Sequence, residues 1–195
     1  MANTVFGLVL AGGKSRRMGQ DKALLQRNGH TQLKHVVTLL EQVTDRTFVS
    51  ARNEQRDDPE RHQFELIVDR YDDMGPIAGI LSAMDEHPDV DWLVVACDLP
   101  NIDKTTLAYL LENRSAERPF SAFRSSHDGL PEPLCAVYTA NSHVIIREFV
   151  VEGLVCPRKI LIRSDTALFE QPDPAALDNI NTPEDLAASV LEAAS

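Results

Sequence analysis

The fold is decided by VFGLVLAGGKSRRMGQDK, the stretch that runs from Val5 to Lys22. It opens with an apolar run, Val5 to Ala11, whose length and β-branched content predict a strand that is buried on both faces. Gly12 and Gly13 end this run, and a cluster of lysines and arginines follows. Glycines have no Cβ atom, so successive backbone N–H groups can approach an anion, and the basic side chains add charge-assisted hydrogen bonds. The stretch therefore predicts a phosphate-binding loop.

The charge of this loop is opposite to that of the chain as a whole. The 195 residues carry 30 acidic and 19 basic side chains, a net charge of -11, yet five of the cations are Lys14, Arg16, Arg17, Lys22 and Arg27. Local charge reversal beside the carboxyl end of a strand is typical of ligand sites in open α/β sheets. Judged from the residues alone, an ordinary solvent-exposed glycine turn is the alternative to a ligand site. Neither G-x-x-x-x-G-K-[ST] nor G-x-G-x-x-G is present.

Length and composition exclude several classes of protein. A chain of 195 residues, 43% hydrophobic and 25% charged, predicts one globular domain over residues 1–195. No apolar run approaches the roughly 18 residues of a membrane span and no signal-type segment is present, so we expect a cytoplasmic protein without membrane contact. The acidic balance disfavours nucleic-acid binding. The wide spacing of Cys97, Cys135 and Cys156 predicts buried, reduced thiols, and neither zinc nor disulfides.

Strands and helices alternate along most of the chain. Apolar runs predict strands that end at Ser50, Val68 and Cys97, and apolar residues at helical spacing predict a helix that Thr31 caps. The polar segment from Arg52 to Gln63 is predicted to be a surface loop or a short exposed helix. The alternation predicts right-handed βαβ units. We therefore expect a Rossmann-like three-layer αβα sandwich with a mostly parallel sheet.

Two carboxylates follow predicted strands directly. Asp69 comes after Val68, and Asp98 comes after Cys97. The carboxyl ends of parallel strands share one edge of a sheet, so the Gly12 loop and both carboxylates should converge there. At that edge Asp98 can hold Mg²⁺, a hard cation that commonly uses one or two carboxylates plus substrate phosphates. The alternative role of Asp98, capping the next helix, suits Asp103 better.

Four blocks of sequence resemble a known family. Residues 10–22, LAGGKSRRMGQDK, closely resemble the signature loop of the nucleotidyltransferases typified by the molybdenum cofactor guanylyltransferase (MobA) family. Three more blocks follow in the same order: GPIAGI at 75–80, ACDLP at 96–100 and NINTPEDL at 179–186. The resemblance extends from Leu8 to Leu186. It covers nearly the whole chain, and a wider superfamily of nucleotidyltransferases shares a looser version of the loop.

The resemblance implies a reaction and its participants. It implies transfer of GMP from GTP to the terminal phosphate of molybdopterin, with pyrophosphate as the second product and Mg²⁺ as the cofactor. Beyond the two substrates, the expected partners are molybdoenzymes or other cofactor-biosynthesis proteins in transient contact, and the expected assembly is a monomer or weak oligomer. A molybdopterin cytidylyltransferase or a sugar-phosphate nucleotidyltransferase would share the loop. The alternative of a different class is a non-catalytic protein that binds a nucleotide or the cofactor.

The resemblance also implies roles for individual residues. Lys22, Arg16 and Asp98 are the expected catalytic residues, and Asp98 is the expected metal ligand. The residues expected to bind the nucleotide or the pterin are Leu10, Ala11, Gly12, Gly13, Lys22, Arg52, Asp69, Asp98, Asn179 and Asn181.

Three points stay open on the sequence. Either Arg52 or Asn53 can occupy the nucleotide-contacting position after the second predicted strand. His127 lies in a predicted loop and is interpreted as solvent-facing or substrate-contacting, because transfer between phosphates needs little proton abstraction. A second basic patch is either a solvated helix face or a site for a phosphorylated second substrate, and it consists of Arg158, Lys159 and Arg163.

Overall fold

The structure is a computed structural model that describes residues 3–13, 21–180, 182–187 and 189–191. The strands are Val5–Leu10 (β1), Gln26–Arg27 (β2), His30–Thr31 (β3), Arg46–Ala51 (β4), Leu66–Val68 (β5), Asp91–Ala96 (β6), Phe120–Arg124 (β7), Pro131–Tyr138 (β8) and Thr166–Phe169 (β9). The α-helices are Gln32–Glu41 (α1), Pro76–Glu86 (α2), Lys104–Asn113 (α3), Ser142–Val151 (α4), Pro157–Arg163 (α5) and Pro183–Ala187 (α6). Short 3₁₀ helices are Lys22–Leu24, Asn53–Gln55 and Arg61–Gln63.

Seven of these strands form one sheet in the order β5-β4-β1-β6-β8-β7-β9. All neighbouring pairs are parallel except those that β8 makes with β6 and β7. The mostly parallel sheet predicted from the alternating pattern is confirmed. The chain moves outward from β1 to β4 and β5 and then returns to β6 on the other side of β1, which creates a topological switch point between β1 and β6. Ligands of open α/β sheets bind at the carboxyl ends of strands at such a point.

The helices cover both faces of the sheet. On one face the core contains buried residues of α1 and α3, such as Leu33 and Leu107, and on the other it contains buried residues of α2 and α5, such as Ile80 and Ile160. The central strands are apolar on both sides, as a doubly covered sheet requires. The predicted three-layer αβα sandwich is confirmed. No helix within the described ranges is both long and apolar enough to cross a bilayer.

Helix termini follow the local sequence signals. Thr31 Oγ1 accepts a hydrogen bond from Lys34 N at 3.2 Å at the start of α1, as predicted. Asp103 Oδ1 accepts from Thr106 N at 2.8 Å at the start of α3. Because Asp103 caps that helix, Asp98 is left for another role.

Two predictions about burial each fail at one residue. The segment from Arg52 to Gln63 contains two 3₁₀ helices, and the Arg61 side chain within it is only 1% exposed. This polar segment therefore contains one buried cation, Arg61, whose contacts are described below. Cys97 and Cys135 are buried as expected, but Cys156 is exposed because it precedes the first turn of α5 at the surface.

Candidate active site

A cavity of about 580 Å³ opens at the carboxyl ends of β1, β4, β5 and β6. Its wall contains eight residues predicted from the sequence, namely Leu10, Ala11, Gly12, Gly13, Lys22, Arg52, Asp69 and Asp98. The parallel strands bring these residues together from distant parts of the chain. Two further predicted residues, Arg16 and Asn181, lie outside the described residues.

Lys22 and Asp98 form an ion pair in the wall of this cavity. Lys22 Nζ lies 2.9 Å from Asp98 Oδ2, and the two side chains are 14% and 22% exposed. Asp98 follows β6, whereas Lys22 begins a 3₁₀ helix that Asp21 caps by accepting a hydrogen bond from Ala23 N at 3.0 Å. Each side chain neutralises the charge of the other, so neither is a buried, unpaired charge. Both also retain access to the cavity, where an incoming ligand can contact the cation and the carboxylate.

The turn after β1 is held by an arginine that directly follows the neighbouring strand, β4. Arg52 Nε donates to the Gly12 carbonyl oxygen at 2.6 Å, and the Arg52 guanidinium also pairs with Glu54. At Gly13 no described atom lies within 4 Å of the place where a Cβ atom would be, so none of the described residues crowds that side of its backbone. Asn53 lines the cavity beside Arg52. Both residues that the sequence left open therefore lie in the cavity wall.

Asp69 is a half-buried carboxyl group beside this turn. Ser50 Oγ donates to Asp69 Oδ1 at 2.8 Å. Burial raises the pKa of Asp69 to about 6, against the opposing effects of the Ser50 hydrogen bond and the positive charge of Arg52. Raised pKa values of this kind concentrate at functional sites. The group titrates close to neutral pH and can hydrogen-bond to a polar ligand in either protonation state.

The loop between β5 and α2 forms another wall of the cavity. Gly75 has φ 57° and ψ -142°, a conformation that glycine adopts without a steric penalty, and Pro76 then occupies the first turn of α2. Tyr71 also lines the cavity, and its hydroxyl donates to Asp85 Oδ2 of α2 at 2.6 Å. This hydrogen bond ties the loop to the helix that follows it.

A second cavity of about 180 Å³ adjoins the first. The two share Ala96, Asp98 and Leu134, and Asn179 and Arg158 line the second one. The backbone N–H of Ile180 donates to the Asp98 carbonyl oxygen at 3.1 Å, which brings the neighbouring Asn179 to this edge of the sheet. Asp98 therefore lies where two compartments meet.

The three residues of the second basic patch do not lie in one site. Arg158 extends to the second cavity and makes ion pairs with Asp128 at 3.1 Å and Glu132 at 3.0 Å. Lys159 and Arg163 are exposed. His127 is 77% exposed, and its Nε2 lies 3.0 Å from Asp178 Oδ1. Of the basic patch, Arg158 is thus the member that reaches a cavity.

The fold agrees with comparisons to known proteins. Residues 7–163 match the family described as the MobA-like NTP transferase domain, which is more than half of the chain. The chain belongs to the MobA-like NTP transferase family. The resemblance inferred from the four sequence blocks is thereby confirmed, and members of this family of nucleotidyltransferases generally use a divalent metal.

Individual relatives of this MobA-like chain cover it to different extents. It is 36% identical over 93% of its length to a Synechocystis sp. protein named molybdenum cofactor biosynthesis bifunctional protein, and it spans only 52% of that relative. It is 31% identical over 91% of its length to a molybdenum cofactor guanylyltransferase from Pseudomonas fluorescens, of which it spans 89%. The crystal structure of molybdopterin-guanine dinucleotide biosynthesis protein A from Archaeoglobus fulgidus shares the fold, with a TM-score of 0.77, 24% identity, and coverage of 94% and 95% of the two chains.

The donor set around Asp98 fits a divalent metal that arrives with a nucleotide. Within the described ranges no group of three histidine, cysteine or acidic side chains could hold a metal ion by itself. Magnesium does not require such a group, because it retains waters and takes ligands from substrate phosphates. Asp98 supplies one carboxylate. Burial raises the pKa of the adjacent Cys97 thiol, so that sulfur stays protonated and is a poor ligand for a hard cation.

Proposed function

We propose that this protein is a molybdenum cofactor guanylyltransferase, which transfers GMP from GTP to the terminal phosphate of molybdopterin and releases pyrophosphate. The observation that carries the proposal is the Lys22–Asp98 pair of this MobA-like NTP transferase fold: both residues line the larger cavity, and Asp98 also lines the smaller one. The larger cavity would take GTP, and the smaller one would take the phosphate end of the pterin. The names of the relatives support this choice of substrates.

The reaction joins two phosphates. An ionised oxygen of the acceptor phosphate attacks the α-phosphorus of GTP, a new P–O bond forms, and the bond from the α-phosphorus to the bridging oxygen of the β-phosphate breaks in line with the attack. No proton has to be removed from the acceptor. The protein therefore has to orient two anions and to stabilise the charge that develops on the departing pyrophosphate.

The residues would divide this work. The backbone of Leu10, Ala11, Gly12 and Gly13 would contact the nucleotide. Arg52 would hold the turn through the Gly12 carbonyl, and Asp69 would help to hold the nucleotide. Lys22, together with Arg16, would neutralise charge on the triphosphate. Asn179 and Asn181 would bind the pterin. These assignments form part of the proposal.

Asp98 would hold the metal, for which we propose Mg²⁺. When bound, Mg²⁺ supplies a Lewis-acidic charge that neutralises phosphate oxygens. Lys22 lies 2.9 Å from the same carboxylate, so its ammonium group would reach a phosphate oxygen that approaches Asp98. The carboxylate and the ammonium group thus act on one triphosphate from the same side of the cavity.

The proposal also covers the domain organisation, the cellular location and the assembly of the protein. We expect one nucleotidyltransferase domain over residues 1–195, acting in the cytoplasm as a monomer or weak oligomer. Transient contact with molybdoenzymes or other cofactor-biosynthesis proteins would pass the product on. The acidic net charge of -11 supports the expectation that nucleic acid is not a partner.

The test measures pyrophosphate release with Mg²⁺ and each of GTP, CTP, ATP and UTP, with and without molybdopterin. We expect release that requires both GTP and molybdopterin. Asp98→Asn should lower the rate by about 100- to 1000-fold, the usual loss when a charge-stabilising group is removed. Asp89→Asn is the matched control, since Asp89 is exposed and lies just before the opposite end of β6. Release with CTP, or with a sugar phosphate in place of the pterin, would contradict the assigned substrates, and nucleotide binding without release would indicate a non-catalytic protein.

A further inference from the structure

Arg61 is a buried cation behind the predicted phosphate loop. Its side chain is 1% exposed, and its Nη2 donates both to the Ala11 carbonyl oxygen at 2.8 Å and to Asp21 Oδ2 at 2.6 Å. Its Nη1 lies 3.3 Å from Asp58 Oδ1. Arg61 belongs to the polar segment between β4 and β5, which none of the family-like sequence blocks includes. The mechanism proposed above makes no use of this group.

The two acceptors of Arg61 Nη2 are the two ends of the loop. Ala11 follows β1 directly, and Asp21 comes immediately before Lys22 and caps the 3₁₀ helix that begins there. We infer that Arg61 is a positioning residue, which holds the ends of this loop together and thereby sets the Lys22 ammonium group against Asp98. The inference rests on the proposed function in giving Lys22 a role in catalysis, whereas the positioning itself rests on the contacts.

Arginine suits this role because of its shape. The planar guanidinium donates in fixed directions, so one group can bind a carbonyl oxygen and a carboxylate simultaneously, whereas a lysine ammonium is a point charge on a flexible stem. The carboxylates of Asp21 and Asp58 compensate the buried charge. Arg61 Nε is buried with no hydrogen-bond partner among the described atoms. A buried ion pair with an unsatisfied donor is a poor source of stability, which favours a positional role for the residue.

Arg61 is itself held in place from the side away from the loop. Its backbone N–H donates to Asp58 Oδ1 at 3.0 Å, the same oxygen that faces Nη1. The adjacent Glu60 accepts a hydrogen bond from Thr31 Oγ1 at 2.6 Å, and Thr31 caps α1. The segment that carries Arg61 is thus anchored to α1. Because the guanidinium has a fixed position, it can fix the positions of the two loop ends that it contacts.

The first test follows amide hydrogen exchange in the protein without ligand. Arg61→Lys should speed exchange of the Ala23 and Leu24 amides at least about tenfold, because these amides bond to Asp21, while Leu8 in β1 and Val94 in β6 should keep their protection. The matched control is Arg46→Met, which removes an arginine that stacks on Phe48. Unchanged protection at Ala23 and Leu24 in the lysine variant would overturn the inference.

The second test is kinetic and uses a double-mutant cycle. Arg61→Lys should lower kcat by about 100-fold, the scale expected for a misplaced catalytic group. In a Lys22→Ala background, the same substitution should change kcat by less than about twofold, since the group that it positions is gone. A merely structural role predicts effects that multiply, and multiplicative effects would overturn the inference.

A third variant covers the case in which Arg61→Lys does not fold. Asp58→Asn keeps the guanidinium and weakens its support, so it should give a smaller increase of exchange at the same two amides, and no increase would count against the inference. The exchange experiment also separates the two proposals. If the wild-type protein fails to transfer GMP while exchange at Ala23 and Leu24 responds as expected, the proposed function fails and the positioning role stands.

Discussion

Asp69 is a single residue of the cavity wall whose burial lowers the stability of the protein at neutral pH. Its pKa is raised to about 6, chiefly by burial, so the folded protein retains a proton that the unfolded chain has already lost above about pH 4. The contribution to stability is present below about pH 4 and is lost as the pH rises through 6. Asp69→Asn should therefore unfold with a free energy about 1–2 kcal/mol higher than wild type at pH 7.5, after allowance for solvent around the carboxyl.

Urea denaturation of the two proteins between pH 4 and pH 8 measures this difference. The curves should converge near pH 4, and Asp73→Asn, at an exposed residue of the same β5–α2 loop, should follow wild type throughout. The Asn variant should also bind GTP more weakly, because it loses the charged acceptor. A stability difference that does not depend on pH would show that the Asp69 carboxyl is not the cause.

The sequence predicts the positions of some residues of the candidate site and not of others. Lys22 and Asp98 are found from the sequence, because each belongs to a short motif next to a recognisable strand or turn, and the structure brings them within 2.9 Å. Arg61 carries no such signal. It lies in a polar segment where a buried cation has no local pattern, and its burial depends on Ala11 and Asp21, which are distant in sequence.

At the scale of elements, Gly79 controls how closely α2 packs on the sheet. A Cβ atom at this position would lie 2.2 Å from Ser50 Oγ and 3.1 Å from Leu10 Cδ2. Gly79→Ala should force α2 away from β1 and β4 and lower the free energy of unfolding by about 1–3 kcal/mol, the usual cost of overpacking. Thermal or urea unfolding measures the loss.

Two further variants test this explanation. Gly13→Ala, at a glycine where no described atom lies within 4 Å of the place of the missing Cβ, should change stability by less than about 0.5 kcal/mol. Ser50→Ala removes the nearest clashing atom, so the double variant with Gly79→Ala should be less unstable than the sum of the two single changes. Strict additivity would show that the contact with Ser50 is not what makes Gly79 necessary.

A polar cluster joins the cavity loop to α2 and α4. Asp85 Oδ2 accepts from the Tyr71 hydroxyl at 2.6 Å, and Asp85 Oδ1 faces His143 Nε2 at 2.8 Å and also pairs with Arg147. Burial alone would raise the pKa of Asp85, but the hydrogen bonds from Tyr71 and Arg147 outweigh it, and the pKa is lowered. The carboxylate therefore stabilises the fold above its unfolded pKa, and this stabilisation is lost as the pH falls through the folded pKa.

Asp85→Asn should lower the free energy of unfolding by about 2 kcal/mol at pH 7, because Arg147 loses its charged partner. The difference from wild type should shrink in acid, where the wild-type carboxylate is also neutralised. Glu86→Gln is the matched control on the same helix. Its exposed pair with Arg70 should be worth less than about 1 kcal/mol. A deficit of Asp85→Asn that persists unchanged below pH 3 would mean that the charge of Asp85 is not responsible.

At the scale of the whole molecule, the sequence predicts the layers better than the arrangement of strands. The alternating pattern is sufficient to predict parallel βαβ units, since a helical crossover constrains the direction of the next strand. The reversed direction of β8 and its insertion between β6 and β7 have no such local signature. These features matter for the site, because β8 carries Glu132 and Leu134 to the second cavity. The convergence of Asp98 with the Gly12 turn was predictable, whereas the second compartment was not.

The two-cavity arrangement predicts that a substitution can weaken the binding of one substrate without affecting the binding of the other. Arg158 lines the smaller cavity between Asp128 and Glu132, so Arg158→Met removes a cation and leaves two carboxylates to repel a phosphate. We expect the KM for molybdopterin to rise about tenfold or more, which corresponds to about 1.4 kcal/mol, while the Kd for GTP measured without the pterin stays at the wild-type value. Lys159→Met, one residue further along α5 and exposed, should leave both constants unchanged. If Arg158→Met instead weakens GTP binding by the same factor, the compartments do not separate the substrates and the smaller cavity belongs to the nucleotide site.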